Sequence, residues 1–188
     1  VGSEMCIRDR LHQITGDSEL LKSLDWFKKR NEEQSNLEAP IIRKPFFCSG
    51  CPHNSSLKVP DGKRALGGIG CHYMAVDSIE STEFFTQMGG EGTPWIGIAP
   101  FSHEKHIFAN LGDGTYKHSG ILAIRAALDA NVNITYKILY NDAVAMTGGQ
   151  EIGSNWDVEG IVKQVLAEGV KKVSILSQEP KKYKHLSL

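Results

Sequence analysis

No stretch of these 188 residues approaches the roughly 18 consecutive apolar residues of a membrane span, and none has the pattern of a secretory signal. Charge of one sign is also missing. Lys and Arg number 21 against 22 Asp and Glu, the formal net charge is -1, and no basic stripe offers the footprint of a nucleic-acid binder. Internal repeats and low-complexity segments are absent, which excludes solenoids and tracts too polar to fold. Cysteine is scarce. The four present, with no targeting segment, point to a reducing, cytoplasmic compartment where thiols hold metal or do chemistry. A 40% apolar composition and this length suffice for one domain with a sizeable core.

Two stretches carry most of the information. His106-Ile107-Phe108-Ala109-Asn110-Leu111 is short, largely apolar and closed by glycine, as a buried strand of a parallel sheet would be. It delivers Asp113, within Gly112-Asp113-Gly114, to the strand's carboxyl end. Ile121, Leu122, Ile124, Ala127 and Leu128 then recur at helical spacing across 117–130, a helix that runs back roughly 20 Å. The β-branched and aromatic run 133–140 climbs a similar roughly 20 Å. A right-handed strand, helix, strand unit therefore returns Asn141 to the edge where Asp113 sits, and such edges are where open α/β sheets bind ligands. Gly112 and Gly114 permit close approach of a bulky anion, and the helix that follows points free N–H groups at it. The Asp113 carboxylate, the Asn141 amide oxygen and a backbone carbonyl at Ala143 are three hard oxygens suited to Mg²⁺.

The second stretch, Phe46-Phe47-Cys48-Ser49-Gly50-Cys51-Pro52-His53, sets a Cys-x-x-Cys on a loop rich in Gly and Pro, able to aim two thiolates at one metal. Cys71, in Gly67-Gly68-Ile69-Gly70-Cys71-His72, follows a short strand expected at 65–69, so three thiols share the sheet edge of Asp113. Zinc would need a fourth ligand from His53 or His72, yet Cys71 and His72 are adjacent and point apart when extended. A [4Fe–4S] cluster needs four thiolates, and the pattern offers three. Spacing alone leaves both open.

Twenty-six residues, 115–140, separate Gly-Asp-Gly from Asn141. A lone Gly-Asp-Gly is an ordinary surface turn. With this spacing and strand context it resembles the thiamine diphosphate motif. The longer words Gly112-Asp113-Gly114-Thr115-Tyr116-Lys117-His118-Ser119-Gly120 and Asn141-Asp142-Ala143-Val144-Ala145-Met146-Thr147-Gly148-Gly149-Gln150 resemble the indolepyruvate ferredoxin oxidoreductases, members of the 2-oxoacid:ferredoxin oxidoreductases. The likeness covers about 43–183 and is greatest to the long fused bacterial form. It implies an α/β fold of three layers, a mostly parallel sheet with helices on both faces. It also implies thiamine diphosphate with Mg²⁺ on Asp113, Asn141 and Ala143, the cofactor being surrounded by Gly112, Gly114, Thr115, Ser119, Met146, Thr147, Met88 and Gly89. A [4Fe–4S] cluster would then be held by Cys48, Cys51 and Cys71, with a fourth ligand outside the chain.

The implied activity is oxidative decarboxylation of an aryl pyruvate to an acyl-CoA, electrons passing through iron–sulfur clusters to ferredoxin. Implied partners are the pyrimidine-binding domain and ferredoxin-like segment of a full-length enzyme, ferredoxin, coenzyme A and a second copy in a homo-oligomer, not nucleic acid or membrane. This fragment alone is expected to be inactive. His53, beside the cysteine loop, is the candidate proton donor, since histidine titrates near neutrality. Glu91 is set aside, because in thiamine enzymes the acid that protonates the aminopyrimidine comes from the other domain. The rival readings are a non-oxidative thiamine diphosphate decarboxylase or synthase, which needs no Cys-x-x-Cys, and a non-catalytic zinc-binding module.

The rest of the chain frames these stretches. Residues 1–10 read as extraneous sequence of the kind left by translated adaptor DNA, and the chain is expected to be a fragment. Residues 11–42 form a helix and linker. Leu20, Leu21, Leu24 and Phe27 mark an amphipathic helix over 17–34, capped by Asp17 or Ser18, and Pro40 and Pro45 mark a linker at 36–45. Residues 43–183 form the cofactor domain and 184–188 a tail. Within the domain, helices are expected at 77–85 and 155–168, a glycine-rich loop at 84–95 and a further parallel strand at 170–176.

Overall fold

The computed structural model describes residues 2–35, 46–79, 81–153 and 157–186. The linker expected at 36–45, Asn155 at the expected start of the last helix, the final residue Leu188 and the Met146 side chain lie outside what is described. Two compact units result, Val1–Lys44 and Pro45–Leu188. In the first, α1 (Gly2–Thr15) and α2 (Ser18–Ser35) pack together around buried Leu24. Asp17 starts α2 by accepting the Glu19 N–H on Oδ1 at 2.9 Å, as a short polar cap should.

The second unit is built on a four-stranded parallel sheet in the order β2-β1-β3-β4, flanked by helices. A short α3 (His53–Ser56) precedes β1 (Ala65–Gly67), and α4 (Ala75–Ser78) leads to β2 (Thr82–Phe85). Next come α5 (Thr93–Ile98) and β3 (Ile107–Gly112). The crossover to β4 (Ile134–Leu139) is α6 (Asp113–Thr115), a π-helical turn Tyr116–Gly120, and α7 (Ile121–Asp129). A small antiparallel pair, β5 (Ala143–Val144) and β6 (Gln150–Glu151), precedes α8 (Val158–Ala167), which Asp157 caps by accepting the Gly160 N–H at 2.7 Å.

The inner strands β1 and β3 are almost wholly buried, as expected of a parallel sheet covered by crossovers. Leu66, Trp95 and Ile107 form one core cluster; Leu111, Tyr116, Ile124, Ile161 and Val165 form another. The Trp95 Nε1–H donates to the Asn133 carbonyl at 3.0 Å, so burial leaves no indole donor stranded.

Two sequence expectations are corrected. The helix placed at 77–85 stops at Ser78, and Thr82–Phe85 is the edge strand β2, pairing Ala65 with Thr82 and Gly67 with Phe85. Threonine and two phenylalanines favour the pleated conformation once a partner strand is present. The strand placed at 170–176 does not form. Val170 and Val173 pack on the Leu111 cluster, but a strand would send residues three apart to opposite faces, so an irregular segment serves that packing better.

Candidate functional site

A cavity of about 380 Å³ opens at the carboxyl ends of β1, β3 and β4. Asp113, the first residue of α6, is 4% exposed on its wall. Its Oδ1 accepts the Gly114 N–H at 2.8 Å, and its Oδ2 accepts two amides from across the strand gap, Asn141 at 2.8 Å and Asp142 at 2.7 Å. The register explains this. Gly112 pairs with Leu139, so the residues just beyond each strand meet. Asp142 takes a left-handed φ of 56°, a conformation aspartate tolerates and the Asp113 bond holds in place. Asn141 Oδ1 accepts the Ala143 N–H at 3.0 Å, which turns the chain back over the cavity mouth.

The other residues singled out from sequence divide into two groups. His53, Cys71, Met88, Gly112, Gly114, Thr115, Ala143 and Thr147 line the cavity with Asp113 and Asn141. Cys48, Cys51, Gly89 and Ser119 are not part of its wall among the described residues. Gly89, at a φ of 86°, instead backs onto Ser119, whose Oγ would stand 2.4 Å from any Cβ placed there. Gly114 is similarly confined, 3.0 Å from a Val144 methyl by the same measure. The π turn after Asp113 has its own requirement. A Cβ on Gly120 would meet Leu111 Cδ1 at 2.8 Å, so glycine allows this widened turn, a feature frequent at functional sites, to seat against β3.

Sequence reasoning did not single out His72 or Glu91 as part of the site. His72 lines the cavity yet is only 3% exposed, and its Nε2 is buried without a partner among the described residues. Glu91 is fully buried; its Oε2 accepts the Gly89 N–H at 2.8 Å while Oε1 has no partner among the described residues. The available signal was the glycines at 68 and 70: Gly68 makes room for both side chains and Gly70 for His72.

Burial dominates the electrostatics. It lowers His53, with Asp113 pulling the other way, and lowers His72 to about 4, with His53 adding to the displacement. It raises Glu91, an effect its backbone amide donors offset in part. The Cys71 thiol is raised first by burial and then by Cys51 and Cys48, so the three sulfurs lie within electrostatic reach. Among the described residues, however, no three His, Cys, Asp or Glu side chains are arranged to hold a metal ion. The oxygen donors of Asp113 and Asn141 beside a roomy cavity do fit a hard cation carrying a phosphate ester, which needs no such cluster.

The thiamine pyrophosphate enzyme C-terminal TPP-binding domain family matches residues 68–175, more than half of the chain and the part that contains the cavity's Asp113 and Asn141. The chain belongs to this family. Its four-stranded parallel sheet flanked by helices is the α/β fold the sequence led one to expect. This TPP-binding domain is similar to the indolepyruvate oxidoreductase subunit IorA of Archaeoglobus fulgidus, 33% identical over 116 residues, which are 57% of this chain and 18% of that protein. It is 27% identical to the IorA subunit of Thermococcus kodakarensis over 164 residues, 77% of this chain and 25% of that one. The IorA subunit of Pyrococcus horikoshii gives 27% over 169 residues, 77% and 26%. The chain thus spans about a quarter or less of the length of these relatives. No solved structure matches it. Among the described residues, no helix is long and apolar enough to cross a membrane.

Proposed function

We propose that the chain is the diphosphate-binding portion of a thiamine-dependent 2-oxoacid oxidoreductase of the indolepyruvate type. The observation that carries this is the Asp113 carboxylate, which draws the Asn141 and Asp142 amides onto the carboxyl edge of β3 beneath a cavity that also holds His53 and Cys71. The names of the IorA relatives support the substrate class. When bound, thiamine diphosphate with Mg²⁺ supplies the carbanion chemistry that decarboxylates a 2-oxoacid.

Asp113, Asn141 and the Ala143 carbonyl would hold the cation. Gly112, Gly114, Thr115 and Thr147 would form the bed for the diphosphate, Met88 would brace the cofactor, and Gly89 and Ser119 would fix the loop beside it. Met146, just before Thr147 in the same short turn, would complete that bed. His53, kept largely neutral by burial, would give or take a proton at the cavity. Cys48, Cys51 and Cys71 are the candidate thiolates for a [4Fe–4S] cluster whose fourth ligand would come from another part of the full-length enzyme. That enzyme would also supply the pyrimidine-binding domain and the route to ferredoxin, with an aryl pyruvate and coenzyme A as co-substrates.

Calorimetric titration of the oxygen-free chain with thiamine diphosphate, with and without Mg²⁺, tests the reading. Binding that requires Mg²⁺ is expected, together with iron and sulfide after anaerobic reconstitution. No binding overturns the cofactor assignment, and zinc without sulfide overturns the cluster.

A further inference from the structure

The buried polar atoms beside the cavity are a feature that the proposed cofactor contacts leave unexplained. Among the described residues, Glu91 Oε1 and His72 Nε2 each lack a hydrogen-bond partner, in side chains 0% and 3% exposed. A buried polar atom left without a partner is costly, so two around one glycine call for an explanation. They converge on one place. A Cβ on Gly68 would stand 2.9 Å from Glu91 Oε1 and 3.0 Å from His72 Nε2. The other edge of the same imidazole faces Gly70 and Gly112, both in the cavity wall; a Cβ on Gly70 would meet Cε1 at 2.5 Å and Nδ1 at 2.7 Å. The ring therefore spans from Glu91 to the cavity, in a slot that three glycines keep open.

We propose that Glu91 is a positioning residue that acts through His72: its carboxylate accepts a hydrogen bond from His72 Nε2–H, directly or through one water, and so turns a bare Nδ1 acceptor toward the cavity. The ligand it would meet there is a hydrogen-bond donor on the bound cofactor or substrate, and to that extent the inference rests on the cofactor reading above. The carboxylate's orientation is set from behind. Oε2 is engaged by the Gly89 amide at 2.8 Å, the Ile69 and Glu91 amides also bear on the carboxylate, and Oε1 is the atom with no hydrogen-bond partner among the described residues. In a neutral imidazole, the nitrogen that carries the proton is decided by what the other one meets.

The glutamine variant inverts the pattern. In Glu91→Gln the amide carbonyl must stay on the Gly89 N–H, so the NH₂ group turns to His72, which must then accept at Nε2 and carry its proton on Nδ1. Long-range ¹H–¹⁵N NMR of the histidine-labelled chain, with His72 assigned by loss of its signal in His72→Gln, reads the tautomer directly. The wild type is expected to show Nε2–H and Glu91→Gln to show Nδ1–H, with thiamine diphosphate affinity in the presence of Mg²⁺ falling roughly tenfold. A wild type with Nδ1–H overturns the proposal even if the variant fails to fold. An unchanged tautomer in a folded Glu91→Gln also overturns it, and would leave Glu91 a merely structural role. If the wild type does not bind thiamine diphosphate, the cofactor reading falls while the tautomer still judges the pair.

Discussion

Asp113 and Glu91 are two buried carboxylates close to the same sheet edge, and the fold treats them oppositely. Asp113 has both oxygens engaged by backbone amides from the segments that follow two neighbouring strands, so its geometry is fixed before any ligand arrives. Glu91 has one oxygen engaged and the other facing an imidazole across a glycine. The first arrangement suits a rigid anchor, the second a residue that sets the state of its neighbour. The difference is one of partner: main chain, whose position the strands dictate, or a side chain with two tautomers.

The largest effects should come from breaking the anchor. Asp113→Ala strands the Gly114, Asn141 and Asp142 amides, and is expected to cost roughly 1–3 kcal/mol in urea unfolding and to cut thiamine diphosphate affinity by at least about 100-fold in calorimetry. Retained affinity would mean that the β3–β4 edge is not the anchor. Next comes the slot. Gly68→Ala drives a methyl to within 2.4 Å of Glu91 Cγ and should cost roughly 1–3 kcal/mol by overpacking. Gly97→Ala in α5, where an added Cβ meets nothing outside its own helix within 4 Å among the described residues, should gain roughly 0.5–1 kcal/mol. Equal responses in the two melting curves would show that the slot is not tight.

The pH dependence of stability separates Glu91 from His72. Folded Glu91 keeps its proton to a higher pH than its ordinary value of 4.5, so its contribution to stability declines as pH rises from 4.5 through the raised value. His72 titrates at about 4 when folded against 6.5 otherwise, so its contribution grows with pH across that interval, by roughly 3 kcal/mol. Denaturant melts between pH 4 and 7 should therefore rise more steeply in Glu91→Gln and flatten in His72→Gln. Tilts of the same sign would refute the assignment. The smallest effect is expected at the surface pair of Arg125 Nε and Glu168 Oε2, 2.7 Å apart and solvent-exposed on the Arg125 side, where Arg125→Ala should leave the unfolding midpoint within error.

What could be read in the sequence follows the same division. The meeting of Asp113 and Asn141 was legible because a buried strand, a helix and a second strand fix where the chain returns, and main-chain register does the rest. The edge strand at Thr82 was not, since four residues are too few to show a period beside the preceding helical turn. Val170 and Val173 were misread because apolar residues can serve a core without joining the ladder. His72, in a 3-10 turn at Cys71–Met74, and Glu91, in a loop, are 19 positions apart, and only tertiary packing brings them to Gly68.

The most direct test of the central claim is backbone amide NMR of the chain titrated with thiamine diphosphate and Mg²⁺. The amides of Gly114, Asn141 and Asp142, all bonded to Asp113, are predicted to shift most, and to stop shifting in Asp113→Ala. Binding that moves other amides and leaves these three unchanged would contradict it.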